Sequence, residues 1–131
     1  MLLVKTNVAQ SPIEGLGLFA DQFISKGTVV WEFEPGLDIL IDKNKLVELP
    51  SVARDYLQRY AYLNGRGEYV LCFDNAKYFN HSFTPNTRNM QLAGKSEMID
   101  IACQDIQSGD EITTNYMEFD AQGVQKLGCN H

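Results

Sequence analysis

Three segments of this chain carry groups that can do chemistry, and they occur in a definite order. Glu14-Gly15-Leu16-Gly17-Leu18-Phe19-Ala20 sets two glycines around one residue, so the backbone there can bend tightly and lie close to a ligand. Asn80-His81-Ser82, followed by Pro85-Asn86, places hydrogen-bonding side chains before a turn. Gly109-Asp110-Glu111-Ile112-Thr113-Thr114-Asn115-Tyr116 runs from a turn signal to a tyrosine, whose hydroxyl both donates and accepts. Taken singly, each has a plain structural reading. A lone Gly-x-Gly is more often a β-turn than a ligand cradle, and this one lacks the GxGxxG pattern of a dinucleotide site. His81 alone reads as a structural loop histidine, with a modest claim to acid–base work. Tyr116 alone reads as a core aromatic with its hydroxyl satisfied. The chain has no Ser-His-Asp order, no HExxH and no Walker loop, which sets aside the reactions those motifs serve.

The elements that must position these groups are short strands. Leu2-Leu3-Val4, Leu18-Phe19-Ala20, Thr28 to Phe33, Leu37 to Ile41, Tyr69 to Phe73, Met98 to Cys103 and Glu111 to Thr114 are apolar or β-branched runs bounded by turn residues. One helical stretch starts near Asp42 or Lys43 and is interrupted at Pro50. Ser51 then reads as an N-cap, and Val52, Ala53, Tyr56, Leu57 and Tyr60 recur at helical spacing, which predicts one core-facing apolar side. Many short strands with one helix indicate an α+β, mostly β domain. At 131 residues and 44% hydrophobic, the chain is expected to be a single domain with a substantial core.

Charge and cysteine usage narrow the partners. The net charge is −6, and no Lys or Arg lies between Lys95 and Lys126, an interval holding Glu97, Asp100, Asp105, Asp110, Glu111, Glu118 and Asp120. Glu32, Glu34, Asp38 and Asp42 form a second acidic stretch. Such a surface keeps a protein soluble, or attracts a basic partner. It disfavours direct nucleic-acid binding, which needs a basic footprint. Cys72, Cys103 and Cys129 form neither a disulfide framework nor a CxxC metal site. Cys72 and Cys103 are expected to be buried free thiols. Cys129 with His131 supplies two ligands where a structural zinc needs four, so no metal is expected. No apolar run reaches the ~18 residues of a membrane span. The start lacks the basic head and apolar stretch of a signal peptide, so an intracellular location is expected, cytoplasmic in a bacterium.

Together, the three ordered motifs resemble those of the SET-domain protein lysine methyltransferases, over nearly the whole chain from about Val4 to Phe119. The resemblance implies one SET domain over residues 1–131, with its core at roughly 4–119 and a short tail at 120–131. It implies a β-clip-like fold of short twisted sheets with one helical insert and a C-terminal segment threaded as a pseudoknot. The cofactor would be S-adenosylmethionine (SAM), leaving as S-adenosylhomocysteine. Gly15, Leu16 and Gly17 would face its methionine part, Asn80 its amino end, and His81 its adenine, largely through the backbone. Tyr116 would be the catalytic tyrosine and a cofactor contact; Phe119, from its closeness to Tyr116 in sequence rather than from the resemblance, would cover the adenine. Thr114 would line the lysine channel, and Phe33 would either line it or pack as plain core.

This chain departs from the family pattern at several positions. Phe83 stands where Cys is common, Lys77 where Arg is common, Asn115 where Asp is common, and Phe33 where Tyr is common. Thr114 stands where Phe or Tyr helps set the number of methyls added; its smaller side chain leaves room for products beyond monomethyl-lysine. No cysteine-rich zinc segment follows Tyr116. The expected substrate is a basic, histone-like protein, and a homodimer that completes the site is one possible assembly. Two competing readings stand beside this one: a SET-like binding module with weak or lost catalysis, and a structural β-rich interaction domain.

Overall fold

The computed structural model describes residues 1–123 and residue 126. The proposed zinc-type ligands Cys129 and His131 lie outside the described residues. Two strands open the chain: β1 (Thr6–Gln10) and β2 (Leu16–Ala20) form an antiparallel hairpin with Thr6 opposite Ala20 and Gln10 opposite Leu16. β1 was not expected, because Thr-Asn-Val-Ala-Gln has little apolar content. Its pairing with the buried β2, rather than its own pattern, makes it a strand. Leu2 instead forms a single bridge to Trp31, with Leu3 N donating to Val30 O at 2.8 Å.

Next come β3 (Val29–Trp31), β4 (Ile39–Asp42), β5 (Tyr62–Leu63), β6 (Glu68–Leu71), β7 (Asn80–His81), β8 (Thr87–Met90), β9 (Ile99–Ala102) and β10 (Thr113–Thr114). β9 is the central strand of an antiparallel sheet ordered β3-β9-β8, and β6 is central in a second sheet ordered β4-β6-β5. β7 and β10 make a small parallel pair. Strands dominate and helices are few, as an α+β, mostly β chain requires.

The core follows from these pairings. Leu18, Ala20, Ile24, Val30, Ala102, Ile106 and Ile112 form one buried cluster, in which Ile24 and Ile106 exchange backbone hydrogen bonds of 2.9 and 2.8 Å. Each such isoleucine or leucine contributes ~1.5–3 kcal/mol on burial. A second cluster, Trp31, Val70, Cys72 and Ala76, joins the two sheets. The third packs the helix on β6 through Leu46, Leu57, Ala61 and Tyr69.

The helical stretch divides where Pro50 stands. Lys43–Glu48 is a 3-10 helix capped by Asp42, whose Oδ1 accepts from Asn44 N at 2.8 Å, and α1 spans Ser51–Tyr60. Ser51 is the first helical residue rather than the N-cap; Pro50 holds the cap position without a side-chain bond. The expected apolar side is only partly used. Leu57 is buried, but Val52 is 81% exposed and Tyr56 41% exposed. α1 lies on the surface with one turn against the sheet, so Tyr56 packs on Tyr60, and Tyr60 on Tyr78, rather than in the core. Of the two cysteines, Cys72 is buried, while Cys103 is half-buried with its Sγ–H donating to Pro85 O at 3.4 Å.

Candidate active site

The parallel pair β7–β10 brings the second and third motifs side by side: Thr113 lies opposite Asn80 and Thr114 opposite His81. On the other flank, Ile112 N donates to Leu18 O at 2.7 Å, so the segment before β10 runs between β2 and β7. Asn86 secures this passage. Its Nδ2 donates to Glu111 O at 2.8 Å, its Oδ1 accepts from Thr113 N at 2.9 Å, and Thr87 Oγ1 donates to Thr113 O at 2.8 Å. Three buried polar groups are thus satisfied across one junction, and a short strand is held without a long ladder.

Tyr116 begins a 3-10 turn, Tyr116–Glu118, capped by Asn115, whose Oδ1 accepts from Met117 N at 3.0 Å. Its hydroxyl donates to Phe79 O at 2.7 Å, and its backbone N–H donates to His81 Nδ1 at 3.1 Å. That second bond requires a neutral imidazole with its proton on Nε2. Burial pushes the His81 pKa down, which keeps the ring neutral. His81 therefore orients Tyr116 through its ring. Burial, helped by the negative charges of Asp120 and Glu14, pushes the Tyr116 hydroxyl up to about 12, so it stays protonated near neutrality and acts as a hydrogen-bonding group rather than a base.

On one side of Tyr116 lies an open groove of about 1130 Å³, walled by Glu14, Gly15, Leu16, Tyr78 and Asn80. Gly15 takes φ +44 there, a left-handed conformation that glycine adopts without strain. Asn80 Nδ2 donates to Glu14 O at 3.1 Å, Leu16 O at 3.2 Å and Glu111 Oε2 at 2.9 Å. Ser11 Oγ donates to Glu111, at 2.8 and 2.9 Å to its two oxygens. Gly17 is what lets Glu111 sit so close: a Cβ at that position would lie 2.4 Å from Glu111 Oε2 and 2.9 Å from Ser11 Cβ. Asn80 Oδ1 accepts no hydrogen bond among the described residues and is available to an ammonium donor. Arg59, Lys77 and Lys126 add cationic side chains to the same groove. An amino-acid moiety, with its ammonium and carboxylate, fits this donor and acceptor set.

Adjoining it lies a smaller cavity of about 140 Å³, whose walls include Trp31, Tyr62, Asn89, Asp100, Thr114 and Phe119; Arg59, Tyr60, Lys77, Phe79, Tyr116 and Lys126 line both spaces. Thr114, 1% exposed, brings its hydroxyl within 3.3 Å of Asn89 Oδ1. Tyr62 OH donates to Glu97 Oε1 at 3.1 Å, and burial with the nearby Glu97 charge pushes its pKa up. Arg66 closes the rim through Glu97, Glu68 and Ser96 O. Asp120 and Lys126 pair at 2.7 Å, and Lys126 Nζ also donates to Ala61 O at 2.6 Å, tying the segment after Tyr116 to the end of α1.

The structure therefore brings Gly15, Leu16, Asn80 and Tyr116 to one groove, and Thr114 and Tyr116 to the cavity behind it. Four other positions fall elsewhere. His81 lines neither space and acts from behind Tyr116, accepting its backbone N–H. Gly17 backs the groove from within β2 rather than lining it. Phe33 does not line the cavity but packs on the Trp31–Val70–Cys72–Ala76 cluster; Trp31, two residues earlier, faces the cavity instead. Phe119 lines the cavity, edge-on to Tyr62 with ring centroids 5.0 Å apart, and not the groove. Sequence reasoning missed Glu111, Asn89 and Asp100. Asp100 left a readable signal, a lone acid inside the buried apolar strand Ile99–Ala102. Glu111 and Asn89 left none, since their partners are distant in sequence.

A fold of small sheets, with a C-terminal tyrosine standing between a groove and a narrow cavity, defines a SET domain. The family model for the SET domain matches residues 15–117, and the chain belongs to that family. It is 26% identical to human Histone-lysine N-methyltransferase 2B over 137 residues, covering 94% of this chain and 5% of that protein. Among solved structures it resembles a Plasmodium falciparum protein assigned as a histone methyltransferase (28% identity, TM-score 0.60, covering 88% of this chain and 95% of that one). It also shares the fold of Polycomb Repressive Complex 2 from Chaetomium thermophilum, in an autoinhibited conformation bound to S-adenosylmethionine. That match has 22% identity and TM-score 0.67, covering 95% of this chain and 16% of that one.

Proposed function

We propose that this chain transfers a methyl group from SAM to a lysine ε-amine of a basic, histone-like protein. The observation that carries this reading is the meeting of two unlike spaces at the half-buried Tyr116. The groove has polar and charged groups suited to an amino-acid moiety, and the smaller cavity sets aromatic side chains beside the buried acids Glu97 and Asp100. SAM, when bound, supplies an electrophilic methyl on a sulfonium sulfur. Gly15, Leu16 and Asn80 would hold its amino-acid part, Asn80 through its free Oδ1. Tyr116, with its hydroxyl directed by Phe79 O and its backbone by His81, positions the amine. The walls of Tyr62, Phe119 and Trp31 shield the amine from bulk water. Alignment of two reactants in adjoining spaces supplies much of the acceleration. The net charge of −6 favours a basic peptide at the cavity mouth.

Calorimetric titration with SAM tests the reading. Wild-type protein should bind saturably, and Asn80→Ala should weaken binding about tenfold or more, as expected for a lost charge-assisted hydrogen bond. No binding by wild-type protein at millimolar SAM would remove the cofactor pocket from the interpretation.

A further inference from the structure

We infer that Asp100 is the proton acceptor for the amine that enters the cavity, turning the incoming ammonium into the neutral nucleophile. This rests on the methyl-transfer reading above. In the β3-β9-β8 sheet, Trp31 lies opposite Asp100, and Asp100 opposite Asn89. Directly paired residues share a face, so the three make one rung, and all three line the cavity with Tyr116. Asn89 Nδ2 donates to Asp100 Oδ1, while Asn89 Oδ1 is bonded by Thr114. This chain orients the carboxylate from one side. Asp100 Oδ2 accepts no hydrogen bond among the described residues. Thr114 and Tyr116 line the cavity beside this rung.

The surroundings suit proton transfer. Asp100 is 6% exposed, and burial, with the nearby Glu118 charge, pushes its pKa up to about 7. The Met1 ammonium opposes that shift, Tyr62 and Cys72 are both pushed up by burial and so neutral, and Arg66, Glu97, Tyr116, Asp120 and Lys126 line the same cavity. A free lysine, with pKa ~10.4, is neutral in only about one part per thousand at pH 7.4. A carboxylate in the cavity offers the ammonium a proton acceptor that water at the same place matches poorly. In the step, one N–H bond of the ammonium breaks and the O–H bond of Asp100 forms. The amine keeps its electron pair for attack, and two charges become two neutral groups in a low-dielectric space. The carboxyl proton is then released to solvent before the next turnover.

The amine site can be tested without cofactor or protein substrate, by NMR titration with n-butylamine, which carries the lysine head group. Wild-type protein should show shifts at Asn89, Asp100 and Thr114. Its affinity should be about tenfold higher at pH 8 than at pH 6, since a carboxyl titrating near 7 is charged only at the higher value. In Asp100→Asn that pH dependence should vanish. Equal wild-type affinity at the two pH values, or unchanged binding by the variant, would overturn the inference.

Proton transfer itself is read from methylation of core histones. Asp100→Asn should lose at least tenfold in kcat/KM at pH 7 and approach wild type as pH rises toward ~10.4, where the amine sheds its own proton. A deficit that stays constant with pH marks a structural role and overturns the proton step. If wild-type protein binds no SAM and methylates no histone, the methyl-transfer reading and the proton step fall together. The amine titration still reports on Asp100 separately.

Discussion

Tyr116 is held at both ends of its residue: its backbone by His81 and its hydroxyl by Phe79 O. Removing only the oxygen should leave the groove intact. Tyr116→Phe should therefore retain SAM affinity within about twofold and lose about 10²–10³-fold in kcat, the scale of a lost orienting hydrogen bond at a reacting centre. Calorimetry and single-turnover assays check the two halves. Thr114 is the other residue with a clear steric consequence. As a buried, small side chain two residues before Tyr116, it would leave space for a methylated amine. Thr114→Phe should restrict the product to monomethyl-lysine, whereas wild-type protein under exhaustive conditions should give di- or trimethyl-lysine by mass spectrometry. Monomethyl product alone from wild type would refute the steric argument.

Among the elements, the β1–β2 hairpin does more than complete a sheet. β2 lies beside the segment that leads into β10, and Gly17 allows Glu111 to bond both Asn80 and Ser11 across that contact. A methyl group there has nowhere to go without moving Glu111. Gly17→Ala should lower stability by ~1–3 kcal/mol, the usual cost of overpacking. It should weaken SAM binding at the same time, because Asn80 loses its carboxylate partner. Thermal melting and calorimetry on one preparation measure both; loss of stability with unchanged SAM affinity would show that Glu111 does not support Asn80.

For the whole molecule, the cavity exacts a pH-dependent cost. Asp100 titrates at about 7 in the folded protein against an ordinary 3.8. The folded state thus holds this proton to higher pH than the unfolded state does. The resulting stability is present in full below 3.8 and is lost as pH rises through about 7. Asn at this position never ionises and keeps the shape of the side chain. The melting temperature of Asp100→Asn minus that of wild type should therefore rise steadily from pH 4 to pH 8. A difference that is flat across this range would mean that Asp100 is not buried as an acid. A buried group that destabilises the protein near neutral pH is a common mark of a functional site.

Much of this was legible in the residues. The Gly15-Leu16-Gly17 turn, Asn80-His81 and Tyr116 announce themselves by type and order, because each motif depends on local properties: glycine flexibility, a polar turn, a tyrosine after a short strand. β3, β6 and β9 were visible for the same reason, as dense β-branched or apolar runs. β1 and β8 were not, because Thr6–Gln10 and Thr87–Met90 become strands through their partners rather than their own patterns. Only the tertiary structure set His81 under Tyr116, turned Phe33 away from the cavity and Phe119 into it, and aligned Trp31, Asp100 and Asn89 as one rung. Those outcomes depend on the register between strands far apart in sequence, where a one-residue shift moves a side chain to the opposite face.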